Sequence, residues 1–358
     1  MSQFSVLYLC PLGQQHREWR LSAAPPEFNV VIRRSTDIAR EELLQLLPQM
    51  DALITERTGN IDAELIAAGK KLKIIQRLGS LYHDIDLTAA RARNVPVCSR
   101  PIRGVIAVAE QMMMQILALS RYAMPLQKVV RRPPESFTLN APLGPNDTPT
   151  KVPFAPRRTS EDIFAFNWSH EQRVRLLFNK TVGILGFGEI GAELARRLQG
   201  WNCRVLYAKR HRLPEEIEQV MHVDYRHQEA ILKESDIVVS LLPYFKETDQ
   251  WLNATRIATM KTGALLCHAG SGSVIDEQAV ADAVATGHLG GASFDTFEWE
   301  PIKQDNPLLL LADTSLEANI FLTPHIGSCN DTNTSEFSEF YGNIWNALTG
   351  KLIEGRVA

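Results

Sequence analysis

From Ser5 onward, short apolar runs alternate with segments whose apolar residues recur at helical spacing. FSVLYLC (4–10), FNVVIR (28–33), DALIT (51–55) and KIIQRLG (73–79) are rich in Val and Ile and read as strands. Between them, REELLQLLPQM and DAELIAAGKKL read as helices, and NVPVCSR (94–100) closes the block as a further strand. This alternation predicts βαβ units, hence a mostly parallel sheet covered by helices. A long helix is expected from near Val105, through VIAVAEQMMMQILALSR, with the Met112–Met114 run packed rather than facing a cofactor.

The pattern breaks at about 126–172. Pro133, Pro134, Pro142, Pro145, Pro149, Pro153 and Pro156 fall there with almost no periodicity, as expected of an arm, a lid or a disordered insert. A second block then opens with NKTVGILGFGEIGAELARRLQGWNCRVLYAKR, which reads strand–turn–helix–strand. DIVVSLLP, GALLCHAG, GGASFDTF and NIFLTPH follow as strands, separated by helical segments such as DEQAVADAVATGHL. The C-terminal SEFSEFYGNIWNALTGKLI has helical spacing and is expected to pack back on the rest. No repeat of solenoid period is present.

Composition narrows the class. At about 150 residues per domain, 358 residues predict two domains. With 45% hydrophobic and 22% charged residues, the chain can bury a real core, which excludes disordered and collagen-like classes. A net charge of −3 gives no nucleic-acid footprint and no polybasic membrane anchor. No apolar run reaches the ~18 residues of a spanning helix, and MSQFSVLYLC does not read as a secretory signal. Cys10, Cys98, Cys203, Cys267 and Cys329 form no CxxC pair, and the histidines show no HExxH spacing. Metal and redox-dithiol chemistry are therefore not expected; buried, reduced thiols of a cytoplasmic protein are.

The strongest local motif is Gly186-Phe187-Gly188-Glu189-Ile190-Gly191, which follows the apolar run TVGIL and opens AELARRLQ. There Gly186 serves a tight turn, Gly188 a close approach of backbone to pyrophosphate, and Gly191 the packing of helix on strand. About 20 residues on, an Asp or Glu would bind the ribose diol of NAD. This chain has Lys209, Arg210, His211 and Arg212 instead, with no carboxylate between Val205 and Leu213. The basic run is either an exposed loop tip or a 2′-phosphate site, and the expectation is NADP(H), with NAD(H) possible.

Taken in order, LGSLYHDIDLTAARARNVPV, VAEQ, GFGEIG, LLPYFKETDQWLN, MKTGALL, SVIDEQAV, FDTFEWEP and TPHIGS resemble the D-isomer-specific 2-hydroxyacid dehydrogenase family over roughly residues 50–350. The resemblance implies two Rossmann-like, doubly wound α/β domains. The cofactor domain, 105–329, would be inserted into a discontinuous substrate domain, 1–104 and 330–358. It implies acid–base catalysis by His325 with Glu300 as its partner carboxylate, Glu298 ranking second. Imidazole suits that task because its pKa lies near neutrality and an adjacent carboxylate holds its tautomer. The resemblance further implies that Asp295 binds the nicotinamide carboxamide and that the amides of Ser80 and Leu81 cradle a substrate carboxylate. Leu242, Pro243, Ala269, Gly327 and Ser328 would line the cofactor, and the chain would form a homodimer.

One position departs from the family. Its substrate-clamping arginine falls on Ser271, counted back from Asp276, and no arginine lies between Lys261 and the end of FDTFEWEP. A serine offers one neutral hydrogen bond where guanidinium offers a charged fork. Losing one donor to a developing oxyanion costs about 10²–10³ in rate. Three explanations stay open. Another cation takes the role, with Arg77, Arg103, Arg157 and Arg158 as candidates. Alternatively, the substrate differs and Ser271, His268 and Tyr82 line a differently polar pocket. Or the protein binds nucleotide in a regulatory role. The first expectation is an NADP(H)-dependent oxidoreductase interconverting a small 2-oxo acid and a D-2-hydroxy acid.

Overall fold

The computed structural model describes residues 3–57, 59–131, 136–138, 151–153, 158, 160–161, 167, 169, 171–330 and 336–358. Most of the Pro-rich segment, Arg157 included, lies outside them.

All five strands expected in the first block form: β1 (Phe4–Cys10), β2 (Phe28–Arg34), β3 (Ala52–Glu56), β4 (Ile74–Leu78) and β5 (Val97–Arg100). They pair in the order β2-β1-β3-β4-β5, parallel throughout. Side chains of one strand alternate between two cores. Leu7, Leu53, Ile75 and Val97 join one apolar cluster, while Val6, Ala52, Ile54, Ile74 and Cys98 join another. Burial on both faces is why these runs are continuously apolar rather than alternating with polar residues. Asp62 and Asp86 begin the following helices by accepting from the amides of Leu65 and Ala89.

The segment expected to be irregular contains two corrections. A helix, Ala123–Arg131, runs past its start, and a short antiparallel pair, β6 (Ser136–Thr138) with β7 (Lys151–Pro153), lies within it. The helix is anchored by tertiary contact: Lys128 Nζ donates to Ala312 O (2.5 Å) and Ser315 O (2.9 Å) at the end of the helix Pro307–Thr314.

The second sheet comprises β8 (Thr181–Leu185), β9 (Arg204–Ala208), β10 (Val223–Tyr225), β11 (Ile237–Ser240), β12 (Ala264–His268), β13 (Leu289–Phe294) and β14 (Ile320–Leu322). Its order, β10-β9-β8-β11-β12-β13-β14, is the doubly wound Rossmann order with one strand added. The order reverses between β8 and β11, so a crevice opens at their carboxyl ends. The three-residue edge strand β10 was not among the expected elements, being too short to carry a pattern.

The helix Arg103–Ser120 joins the two cores. Ile102 and Val105 pack in the first-sheet core, whereas Ala109, Met112, Met113, Ile116 and Leu119 pack in the second. Met114 is exposed, so only two of the three methionines are core. As expected, the C-terminal helical segment returns to the first sheet, where Phe340, Tyr341, Ile344 and Leu348 pack with Val6 and Tyr8. Of the five cysteines, Cys329 corrects the expectation of burial: it is exposed in the turn after His325, and Cys203 is only partly buried.

Candidate active site

The turn after β8 is built by close backbone approach. Gly186 has φ +84°, and a Cβ there would lie 2.6 Å from Leu241 O at the end of β11. Gly188 is the N-cap of the helix Glu189–Leu198, without a side-chain cap, and a Cβ on it would meet nothing within 4 Å. Uncapped amides at the head of a helix, facing open space, fit a pyrophosphate. Phe187, Ile190 and Gly191 lie under this turn. Phe187 is 1% exposed and packs against Tyr207, ring centroids 4.6 Å apart at a tilt of 48°.

At the end of β9 the four basic residues part company. Arg212 is tied to Glu218 (2.7 Å), and the Arg210 guanidinium lies 5.3 Å from the Phe245 ring centroid. Burial pulls the Lys209 ammonium below its usual range, with Glu189 and Asp84 opposing the shift. Among the described residues, neither Lys209 nor Arg210 is in an ion pair, so both charges remain available to a ligand.

His325 lies in the loop after β14 with φ +52°, a left-handed backbone uncommon outside glycine. Asp295, 2% exposed at the end of β13, holds that loop. Its Oδ1 accepts from Thr323 Oγ1 (2.6 Å) and Ile326 N (3.0 Å), its Oδ2 from Gly327 N (2.8 Å), and its carbonyl from His325 N (2.8 Å). The carboxylate is thus largely committed to the histidine's own loop; a nicotinamide carboxamide would have to share it. Across the loop, His325 Nδ1 lies 2.7 Å from Glu300 Oε2, while Glu300 Oε1 accepts from Phe297 N (3.0 Å). The two side chains are 57% and 36% exposed, which leaves Nε2 on the solvent side and screens the pair. Glu298 does not enter the pair: its amide donates to Glu277 and its side chain is exposed.

Other expected residues gather along the same carboxyl edge. The Ser271 amide donates to Leu242 O (2.9 Å), Ala269 N to Ser240 O (3.1 Å), and Pro243 O accepts from Thr248 Oγ1 (2.8 Å). Ser328 is exposed beside Gly104 at the head of the helix Arg103–Ser120. His268 is fully buried and pushed down to about 4 by burial, so it stays neutral.

Of the candidate cations, Arg158 is exposed, and Arg103 has a buried Nη1 without a partner among the described residues, while its amide donates to Glu339. Arg77 is fully buried beneath the Ser80–Leu81 loop; it pairs with Asp84, and among the described residues its Nε and Nη1 are unsatisfied. The loop itself is not open: Ser80 N donates to the Glu189 carboxylate and Ser80 Oγ to that of Glu193.

Sequence reasoning missed Glu193 and the pair Gln111–Thr323, in which Gln111 Nε2 donates to Thr323 Oγ1 (2.9 Å). The threonine of TPHIGS could have been flagged by its place two residues before the histidine. Among the described residues, no group of three or more His, Cys, Asp or Glu side chains could hold a metal, and no helix is long and apolar enough to cross a membrane.

Comparison with known proteins agrees with this arrangement. The family model described as D-isomer specific 2-hydroxyacid dehydrogenase, NAD binding domain, matches residues 154–327. A glyoxylate reductase of Pyrococcus furiosus is 32% identical over 304 residues, 84% of this chain and 80% of the relative. A glyoxylate/hydroxypyruvate reductase B of Escherichia coli is 30% identical over 317 residues, 86% of each chain. The solved PH0520 protein of Pyrococcus horikoshii is 27% identical, covering 99% of this chain and 95% of its own with a TM-score of 0.54. Two parallel α/β sheets, a glycine turn at the strand-order reversal and the similarity along most of its length make this chain a member of the D-isomer-specific 2-hydroxyacid dehydrogenase family, a family of NAD(P)-linked oxidoreductases.

Proposed function

We propose that the protein reduces a small 2-oxo acid of the glyoxylate or hydroxypyruvate type to the corresponding 2-hydroxy acid, the D form where C2 is a stereocentre, with NADP(H) as its preferred cofactor. The observation that carries this reading is the His325–Glu300 pair, 2.7 Å apart on the same carboxyl edge as the nucleotide turn. When bound, the reduced nicotinamide supplies the hydride. The carbonyl oxygen gains negative charge as its carbon is reduced, and His325 meets it with a proton from Nε2. With Nδ1–H donating to Glu300, the ring left behind is the neutral tautomer already held in place, so no ring flip is needed before reprotonation. Ser271 offers a neutral hydrogen bond where a guanidinium would polarise the carbonyl, and the Ser80 and Leu81 amides, with Arg77 buried beneath them, receive the carboxylate. Lys209 and Arg210, free of ion pairs among the described residues, supply charge for a 2′-phosphate.

On this reading, residues 105–329 form the cofactor domain, inserted into a substrate domain of 1–104 and 330–358. The change of core along the helix Arg103–Ser120 and the return of Tyr341 and Ile344 to the first sheet support that division. The test is NADPH oxidation with glyoxylate, hydroxypyruvate and pyruvate by wild type and His325→Asn. Turnover in wild type and its loss in the variant, with NADPH binding retained, is the expected result. Silence in wild type with tight NADPH binding would favour a nucleotide-binding regulatory protein, and equal turnover in both would remove His325 from the chemistry.

A further inference from the structure

A glutamate in the first turn of a helix is commonplace, because the helix dipole favours it, and on that account alone Glu189 would stay in water. Instead it crosses to the other domain and is 7% exposed. Its Oε2 accepts from the Ser80 amide, and the Leu81 amide adds to the hold. Gly79 has φ +157°, and a Cβ there would fall 2.7 Å from Glu189 Oε1, so the carboxylate lies against bare backbone. One turn along, Glu193 accepts from Ser80 Oγ and is itself held by Arg197 (2.9 Å) and Arg196 (3.5 Å).

The loop that receives Glu189 is built for an anion. Two consecutive amides face it, Arg77 lies fully buried below with Nε and Nη1 unpartnered, and Arg57 adds positive charge from the end of β3. The occupant fits it poorly, since Glu189 Oε1 is buried without a partner among the described residues. Burial pushes the carboxyl up to about 7, against the pull of the Ser80 amide and of Arg77. The groups facing it are Arg77 with its partner Asp84, Arg57, Lys209 from the end of β9 and Glu193 from its own helix. A half-satisfied ligand on a site with spare positive charge is held, yet can be displaced by one that fits better.

We propose that Glu189 is an internal carboxylate ligand of the Ser80–Leu81 loop, filling the place of the substrate carboxylate and latching the two domains until a 2-oxo acid displaces it. This deepens the functional reading above and rests on its assignment of the loop as a carboxylate site. The exchange is non-covalent: the substrate carboxylate takes the two amides, and the Glu189 side chain returns to solvent.

The test uses the full-length protein without nucleotide, Glu189→Ala, Glu189→Gln and oxalate, a planar dicarboxylate that cannot be reduced. Hydrogen–deuterium exchange of the 79–82 segment should accelerate at least about tenfold in Glu189→Ala, because its amides lose their acceptor. It should stay within about threefold of wild type in Glu189→Gln, which keeps an acceptor oxygen. By calorimetry, oxalate should bind Glu189→Ala at least about tenfold more tightly than wild type. Unchanged exchange in Glu189→Ala, exchange in Glu189→Gln as fast as in Glu189→Ala, or oxalate affinity that is unchanged or undetectable in all forms overturns the latch. Failure of the functional reading shows separately. No 2-oxo acid would then be reduced by wild type or either variant, while the exchange and oxalate results stand.

Discussion

Asp295→Asn separates two roles for the most buried carboxylate of the site. The substitution keeps Oδ1 for Thr323 and Ile326 but turns an NH2 toward the Gly327 amide, where Oδ2 now accepts at 2.8 Å. One buried donor loses its acceptor and a new donor gains none. At about 1–3 kcal/mol for each unsatisfied buried group, the loop is destabilised by about 2–6 kcal/mol. His325 holds a left-handed φ of +52° in that loop, and such strain, of order 1–3 kcal/mol, persists only while its surroundings over-determine it. Relaxation of the loop takes the imidazole away from Glu300, so kcat should fall about 10²-fold, the lower end of what general acid catalysis supplies. Three measurements decide the matter: kcat with glyoxylate, NADPH affinity by fluorescence, and thermal unfolding. The expected pattern is a large loss of kcat, a lower Tm and a small change in NADPH affinity. If Asp295 acts mainly as a ligand of the nicotinamide carboxamide, NADPH affinity falls about tenfold or more and kcat at saturation survives. A kcat within about threefold of wild type would refute the clamp outright.

Replacing Lys209 and Arg210 together by alanine should weaken NADPH about ten- to a hundredfold and NADH little, each lost charge-assisted bond being worth about 1.5–3 kcal/mol before screening; equal weakening in a titration of both nucleotides would count against a 2′-phosphate site. Ser271→Arg should raise kcat for 2-oxo acids by about tenfold or more, because a charged fork stabilises the developing oxyanion; steady-state kinetics without gain would place the polarising charge on another residue. Arg20→Ala tests the buried pair with Glu56 (3.0 Å, side chains 3% and 0% exposed) and should cost about 3–5 kcal/mol at neutral pH by leaving a buried charge unpaired. Burial raises the Glu56 carboxyl, but Arg20 and Tyr8 outweigh it and hold it below its ordinary 4.5. Its contribution is therefore present above pH 4.5 and lost as pH falls through the folded value. The gap between wild-type and Arg20→Ala urea midpoints should narrow in acid, and an equal gap at both pH values would contradict the assignment.

The fold was largely legible because the central strands of the two parallel sheets are buried on both faces and announce themselves as apolar runs. Where burial did not write such a run, legibility stopped. β10 has three residues on a sheet edge, and the helix Ala123–Arg131 is held by the tertiary bonds of Lys128 to carbonyls nearly two hundred residues away in sequence. The chemical pair His325–Glu300 was legible through its motifs, since each residue sits in a short segment with a distinctive neighbourhood. Glu189 was read only as part of a glycine turn. Nothing local distinguishes a glutamate that caps a helix from one that reaches into another domain, because its partners, Ser80 and Arg77, lie more than a hundred residues upstream. Asp295 is the intermediate case: the segment marked it as important, but the three hydrogen bonds its carboxylate accepts from Thr323, Ile326 and Gly327 emerge only when β13 and β14 lie side by side.

In the proposed reaction, Ser271 and Glu189 act on different parts of the energetics. Ser271 removes a charge that would count most as negative charge develops on the carbonyl oxygen, so its effect falls on the transition state and on kcat. On the proposed latch, Glu189 competes with the substrate for the Ser80 and Leu81 amides before any chemistry, so its effect would fall on ground-state binding and on KM. Arg77 can offset only the second. It lies beneath the amide loop on β4, neutralised in part by Asp84, and is buried where it can lend charge to a carboxylate on the loop but cannot itself reach out. On the proposed function and the proposed latch, a chain with a neutral residue at 271 and an internal carboxylate in the cradle would keep the His325–Glu300 proton donor while binding simple 2-oxo acids weakly. Stronger binding would require a substrate that brings further contacts of its own to the cleft.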